Sequence, residues 1–278
     1  MRLGVSSYLY QKNLSIENII RTIGRLKFSS IEIGLGQTCS LDILSKYVDV
    51  NKILDQYSLR ATVHFPYKLI SGGSFEYFDI ANQSKENPAF LEKFFTNICN
   101  FAQKINAEIL VIHAGGEKIQ APSRIQAHSF LIESLGRLVQ IAKQYDLVLA
   151  LENSDARENR LCRTIEELDQ VLERVDSDNL GLCFDTAHAF SCNLDVLSTV
   201  LHFKKNVVHF HLNDSEGGTG WKEHLPIGRG LIDWKGFFTL LPQINFSGSF
   251  ILESGMTENK KDTTKALTEQ RKFISSLI

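Results

Sequence analysis

Eight short apolar runs recur along the chain, each followed by a stretch of helical periodicity. The runs are Arg2–Ser6, Ser30–Gly34, Arg60–His64, Ile109–His113, residues 147–152, Leu180–Asp185, Val207–Leu212 and residues 249–253. Between and after them, residues 15–26, 41–57, 88–105, 123–145, 164–175, 195–203, 234–241 and 263–277 space their apolar side chains as helices do. In the first of these, Ser15 is a natural N-cap, Glu17 sits in the opening turn, and Ile16, Ile19, Ile20 and Ile23 share one face. Strands that are apolar on both faces suit a parallel sheet covered by helices. Strict alternation predicts such a sheet, and eight units predict its closure into a (β/α)₈ barrel, a single domain over residues 1–278. An open, doubly wound sheet would carry a glycine-rich phosphate loop after its first strand, and residues 7–13 offer none.

Composition narrows the partners. The 278 residues carry 30 Lys+Arg against 32 Asp+Glu, a net charge of −2, so no global pull toward nucleic acid follows. The five cysteines, Cys39, Cys99, Cys162, Cys183 and Cys192, are scattered and form no CxxC pair. Neither a disulfide framework nor a thiolate zinc site is indicated, and a reducing, cytoplasmic location is expected. No run approaches the ~18 apolar residues of a membrane span, and the amino terminus reads as a first strand rather than a signal peptide. Residues 65–87 exceed the usual connection length and contain Gly72-Gly73, which suggests a lid or binding loop.

In a barrel of this kind the catalytic groups gather at the carboxyl ends of the strands. Strands three to eight end in His64, His113, Glu152, Asp185, His211 and Glu253. Each alone has an ordinary explanation: Asp185 is also a good helix N-cap, and a strand-end histidine is often merely hydrogen-bonded. Together they put many ionisable groups into one apolar mouth, which is costly without compensating cations. Imidazole and carboxylate without thiolate suit Zn²⁺ or Mn²⁺, with Co²⁺ or Fe²⁺ as substitutes, and disfavour Ca²⁺. Glu152, Asp185, His211 and Glu253 form a set for one divalent ion, and His64 and His113 could hold a second with Glu152 as bridge. His188, placed in the loop after Asp185, and His224 are left for substrate or for a partial third site. His209 faces inward one layer deeper, as core or support, while His128 and His202 lie on helices. The glycine-rich loop 213–229 carries Asp214, Lys222, His224 and Arg229. Such a loop can close over a small ligand, with Arg229 or Lys222 meeting an anionic group.

Seven segments resemble the xylose isomerase-like TIM-barrel superfamily, which also contains AP endonuclease family 2 (endonuclease IV). They are VHFPY (63–67), VIHAGG (111–116), LALEN (149–153), GLCFDTAHAF (181–190), HFHLND (209–214), HLPIGRGLIDW (224–234) and ILES (251–254). The resemblance implies that Glu152, Asp185, His211 and Glu253 bind the catalytic metal, and that Glu152 and Glu253 are the acid/base pair of the epimerase-like members. It also implies that residues matching His64, His113, His188 and His224 complete a trinuclear zinc site in the endonuclease-like members. The aspartate those members carry two positions before the last histidine is Lys222 here, so a third metal would need Glu223. The segment after Glu152, NSDARENR, lacks the glycine-rich sequence of endonuclease IV, and the SSYLYQ turn differs from its opening motif.

Two readings follow. The leading one is a metal-dependent isomerase or epimerase of a small sugar, sugar phosphate or polyol, holding one ion, with His188, His224, Arg229, Lys222 and Tyr67 contacting substrate. The alternative is a zinc phosphodiesterase holding two or three ions and acting on a nucleotide-like small molecule or abasic DNA. The expected partner is a carbohydrate or phosphate-bearing small molecule, neither membrane nor nucleic acid, and the resembling isomerases suggest a homo-oligomer.

Overall fold

A computed structural model describes all residues except 11–13, 37–40, 67, 72–73, 78, 83–87, 116–122, 219–223 and 255–262. Eight parallel strands close into a barrel: β1 (Arg2–Ser6), β2 (Ser30–Gly34), β3 (Arg60–His64), β6 (Ile109–His113), β7 (Val148–Glu152), β8 (Leu180–Asp185), β9 (Val207–Leu212) and β10 (Ser249–Leu252). The order around the barrel follows the chain, and β10 closes it by pairing with β1, Gly4 opposite Ile251. The helices α1 (Ile16–Arg25), α2 (Tyr47–Tyr57), α3 (Pro88–Lys104), α4 (Arg124–Lys143), α5 (Ile165–Val175), α6 (Thr186–Ser191), α7 (Val196–His202), α8 (Trp234–Ile244) and α9 (Thr263–Ser275) connect them. None among the described residues is long and apolar enough to cross a membrane. The closed (β/α)₈ architecture read from the repeat is the one observed.

Local chemistry explains most element boundaries. Ser15, Ser123, Thr164 and Asp195 each accept a backbone N–H three residues on, capping α1, α4, α5 and α7. Three expectations differ from the fold. Residues 41–57 divide into a 3₁₀ turn, Leu41–Ser45, and α2, whose N-cap Lys46 makes no side-chain capping bond. The seventh unit's helix continues past Leu241 to Ile244 with Pro242 inside it. The long stretch after β3 contains an antiparallel hairpin, β4 (Lys68–Ser71) with β5 (Ser74–Tyr77); the glycines of its turn, and Tyr67, lie outside the described residues.

Most of the apolar core lies between barrel and helices. Phe184, Phe210 and Phe250 point outward, and Phe210 meets Phe237 of α8 edge-on at 5.5 Å and stacks on Phe250 at 5.2 Å. The barrel interior is narrow by comparison, with Val111, Ala150 and Cys183 packed across neighbouring strands. A register shift between Leu182 and Cys183 pairs Leu182 with Val207 but Cys183 with His209, so that β9 carries an extra residue. That bulge aligns His209 with Cys183 and His211 with Asp185, all four facing inward. At Gly34 a side chain would collide with the ring of Tyr8, which covers this strand end and donates to Leu35 O at 3.2 Å.

Candidate metal centre

The strand ends bring the expected ligands together. Glu152, Asp185, His211 and Glu253 each offer a ligand atom, and these atoms all lie within 4.8 Å of one another. His211 Nδ1 is 3.0 Å from Glu152 Oε1 and 3.2 Å from Glu253 Oε2. His64 and His113 join from the neighbouring strands, their Nε2 atoms 3.3 and 3.4 Å from Glu152 Oε2, and form with it a second group of metal-binding type. Their rings are 4.9 Å apart, and Tyr8 packs edge-on against His64 at 5.4 Å.

Asp185 has two tasks at once. Its Oδ1 accepts the backbone N–H of His188 at 2.8 Å and caps α6, while Oδ2 accepts from Asn213 Nδ2 at 2.7 Å. The helix N-cap and the ligand position are therefore the same residue. This also corrects the placement of His188, which lies inside α6 rather than in a loop, because the cap starts a helix immediately. His188 Nδ1 meets Asn153 O at 2.9 Å and lies 3.5 Å from Glu152 Oε1, and its ring is 5.2 Å from that of His224. Asn153 also brackets Asp185: its Oδ1 accepts from Asp185 N at 2.7 Å and its Nδ2 donates to Asp185 O at 3.0 Å.

The loop after β9 behaves differently from the expectation. Asp214 is fully buried and receives four donors: Ser215 N (2.9 Å) and Ile232 N (3.2 Å) on Oδ1, Gly228 N (2.8 Å) and Trp234 Nε1 (2.9 Å) on Oδ2. It anchors residues 225–234 rather than facing a ligand. Arg229 is exposed in the turn after Pro226, and no described hydrogen bond or ion pair joins it to the cluster. Lys222 and Glu223 lie outside the described residues. His202 pairs with Asp169 on the surface at 2.9 Å, as a helix histidine should.

Three residues were missed, Glu32 foremost. Glu32, from the middle of β2, is fully buried beneath the cluster, with Oε2 2.9 Å from His209 Nε2 and Oε1 3.0 Å from His211 Nε2. The signal was present: Ser30, Glu32 and Gly34 alternate onto the inward face, and a charge there has nowhere apolar to go. Asn153 and Asn213, each one residue past or within two residues of a strand end, were also unmarked.

The electrostatics set the groups apart. Burial alone would raise Glu152, but His113 and His211, with hydrogen bonds from His211 and His64, hold it well below the usual carboxylate range. Burial raises Glu253 to about 7, aided by Glu32 and Glu152 and opposed by His211 and His64. His211 is raised well above an ordinary imidazole: burial works against this, and Cys183, Glu253, Glu32 and Glu152 outweigh it. His113 and His224 are lowered, chiefly by burial, which favours the neutral ring.

The donor set fits a divalent cation. Glu152 and Glu253 find only histidines as cationic partners among the described residues, and Asp185 finds none. Two buried carboxylates and a partly buried third converge on His211, a concentration of negative charge that a cation would relieve.

The family model described as "Xylose isomerase-like TIM barrel" matches residues 20–277. The chain belongs to that family. An uncharacterized protein of Methanocaldococcus jannaschii is 25% identical over 272 residues, 96% of this chain and 87% of that one. A probable endonuclease 4 of Mycoplasmoides gallisepticum is 27% identical over 215 residues, covering 72% of this chain and 65% of the relative. Among solved structures, a D-tagatose 3-epimerase-like protein aligns with a TM-score of 0.81 at 22% identity, over 99% of both chains. A 3-keto-D-glucoside 4-epimerase from E. coli aligns with a TM-score of 0.81 at 16% identity, again over 99% of both. At these identities the structural matches show the shared barrel of the family.

Proposed function

We propose that this family member is a divalent-metal-dependent epimerase or isomerase of a small sugar, sugar phosphate or polyol derivative. The observation that carries the reading is the pair Glu152 and Glu253. Both reach His211 Nδ1, yet one is held ionised while the other is raised to about 7. Two carboxyl groups facing one cluster from different strands suit a proton shuttle. The Glu152 carboxylate takes a proton from the carbon beside a carbonyl, and the Glu253 carboxyl returns one to the neighbouring carbon or the opposite face. Glu152, Asp185, His211 and Glu253 would hold the ion, which when bound would supply Lewis-acid polarisation of carbonyl and hydroxyl oxygens. His188 and His224, set edge to face at the mouth, orient those hydroxyls, with Tyr67, Lys222 and Arg229 as further contacts from the surrounding loops. The ion is zinc or manganese on this reading, and the compartment is the cytoplasm, which free Cys99, Cys162, Cys183 and Cys192 support.

The aligned D-tagatose 3-epimerase-like protein and 3-keto-D-glucoside 4-epimerase support the same substrate class. Incubating the Mn²⁺-loaded protein with ketoses in D₂O tests it: deuterium should enter at the carbon beside the carbonyl, followed by NMR. Glu253→Gln should abolish turnover while leaving ketose binding measurable, and retained turnover would remove Glu253 from its role.

A zinc phosphodiesterase is the second reading. It is favoured by the His64–His113–Glu152 group and by the endonuclease 4 relatives. Ion counting on protein purified without added metal separates the two: one ion per chain supports the epimerase, two or three the hydrolase.

A further inference from the structure

The barrel interior beneath the candidate centre is charged, and the proton shuttle leaves that charge without a task. Glu32 from β2 and His209 from β9 are both fully buried. A buried carboxylate is costly unless its oxygens are satisfied. Glu32 is enclosed by three donors: His209 Nε2 at 2.9 Å, His211 Nε2 at 3.2 Å and Thr62 Oγ1 at 3.3 Å, all to Oε2. Its Oε1 lies 3.0 Å from His211 Nε2 but makes no hydrogen bond of its own, so Glu32 is held through Oε2.

The two nitrogens of His211 thus face opposite ways. Nε2 faces Glu32, and Nδ1 faces Glu152 and Glu253. A neutral imidazole carries one ring proton, and its partners decide where it sits. Once an ion takes the place of the Nδ1 proton, a carboxylate at Nε2 would keep the remaining proton there and leave the Nδ1 lone pair for the ion. His209 fits the same chain of contacts. Its Nδ1 has no hydrogen-bond partner, so a single ring proton is used on Nε2, where Glu32 accepts it.

We propose that Glu32 is a positioning residue: held by His209 and Thr62, it accepts the Nε2–H of His211 and fixes that ring with Nδ1 presented to Glu152, Asp185 and Glu253. On this assignment Glu32 acts through His211 rather than as a ligand, although the ligand atoms of Glu32, His64 and His211 also lie within 4.8 Å of one another. Carboxylates that orient a ligating histidine in this way raise metal affinity, and their loss costs roughly 10–100-fold. The inference rests on the metal-centre reading above.

Two measurements test it. Mn²⁺ titration calorimetry on wild type and Glu32→Gln should show affinity falling roughly 10–100-fold in the variant with the number of ions per chain unchanged. Affinity within twofold of wild type would overturn the inference, as would the loss of a whole ion, which would make Glu32 a ligand. Should Glu32→Gln fail to fold, ¹⁵N NMR of the Zn²⁺-loaded wild type still decides. His211 is expected to keep its proton on Nε2 with Nδ1 bound to zinc, and a proton on Nδ1 would overturn the proposal. A wild-type chain that takes up neither Mn²⁺ nor Zn²⁺ would overturn the metal centre itself. Unaltered affinity in Glu32→Gln would remove the Glu32 inference alone.

Discussion

Asp214→Asn is the substitution whose cost the structure defines best. Each carboxylate oxygen of Asp214 serves two N–H donors, so all four acceptor positions are in use. An asparagine of the same shape keeps one oxygen. Whichever way its amide turns, an NH₂ faces two donors: Ser215 N and Ile232 N, or Gly228 N and Trp234 Nε1. Hydrogen bonds to charged groups contribute about 1.5–3 kcal/mol each, and the two that survive become neutral ones of about 1 kcal/mol. Allowing for outward relaxation of residues 225–234, the loss comes to roughly 3–5 kcal/mol. For a chain of this size each kcal/mol moves Tm by about 2–4 °C, so a drop on the order of 10 °C is expected. Trp234→Phe removes one donor and should cost about a third as much. Calorimetric or circular-dichroism melting with urea titration measures both. A Tm for Asp214→Asn within 2 °C of wild type would refute the view that Asp214 is an anchor, and would return it to the list of groups facing the site.

Further predictions concern the centre. Mn²⁺ affinity should rise as pH rises toward 7: Glu253 in the metal-free protein is protonated below about 7, and an ion must displace that proton. The raised value also means that this group stabilises the metal-free fold below an ordinary glutamate pKa, and that the contribution is lost as pH climbs through about 7. Calorimetry at pH 6 and 8 checks the first, and identical affinities would count against Glu253 as a ligand. Asn213→Ala removes the 2.7 Å donor to Asp185 Oδ2 and should weaken Mn²⁺ binding about tenfold, with ion number unchanged. Gly34→Ala should destabilise the protein by about 1–3 kcal/mol in urea titration, because its methyl group must displace the Tyr8 ring.

What the sequence makes legible follows from strand geometry. In a parallel barrel the carboxyl ends of all strands meet at one rim, so reading the last polar residue of each run finds His64, His113, Glu152, Asp185, His211 and Glu253 without knowing any contact. Glu32 escapes because it sits mid-strand, where a charge reads as an interruption of the core rather than part of a site. Its partner lies 177 positions away, beyond the reach of any local pattern. His188 is misplaced into a loop because α6 is only six residues long, too short for periodicity to register. Asn153 and Asn213 act through hydrogen bonds from and to their side-chain amides at Asp185, and neither residue type carries a signal of its own. Phe90 shows the opposite error. Helical spacing assigns it to the buried face of α3, yet it is 55% exposed and stacks on Phe94 at the helix start.

The double duty of Asp185 affects how any variant at that position is read. Its Oδ1 opens the helix that carries His188, and its Oδ2 belongs to the cluster, steadied by Asn213. Removing the carboxylate frees the first turn of α6 together with the ligand position, so lost activity would report two failures that no assay on that variant can separate. The same linkage makes the amides of α6 a built-in reporter. Ion uptake at Asp185 should slow hydrogen exchange at His188 N, where occupancy becomes visible in the backbone of a helix.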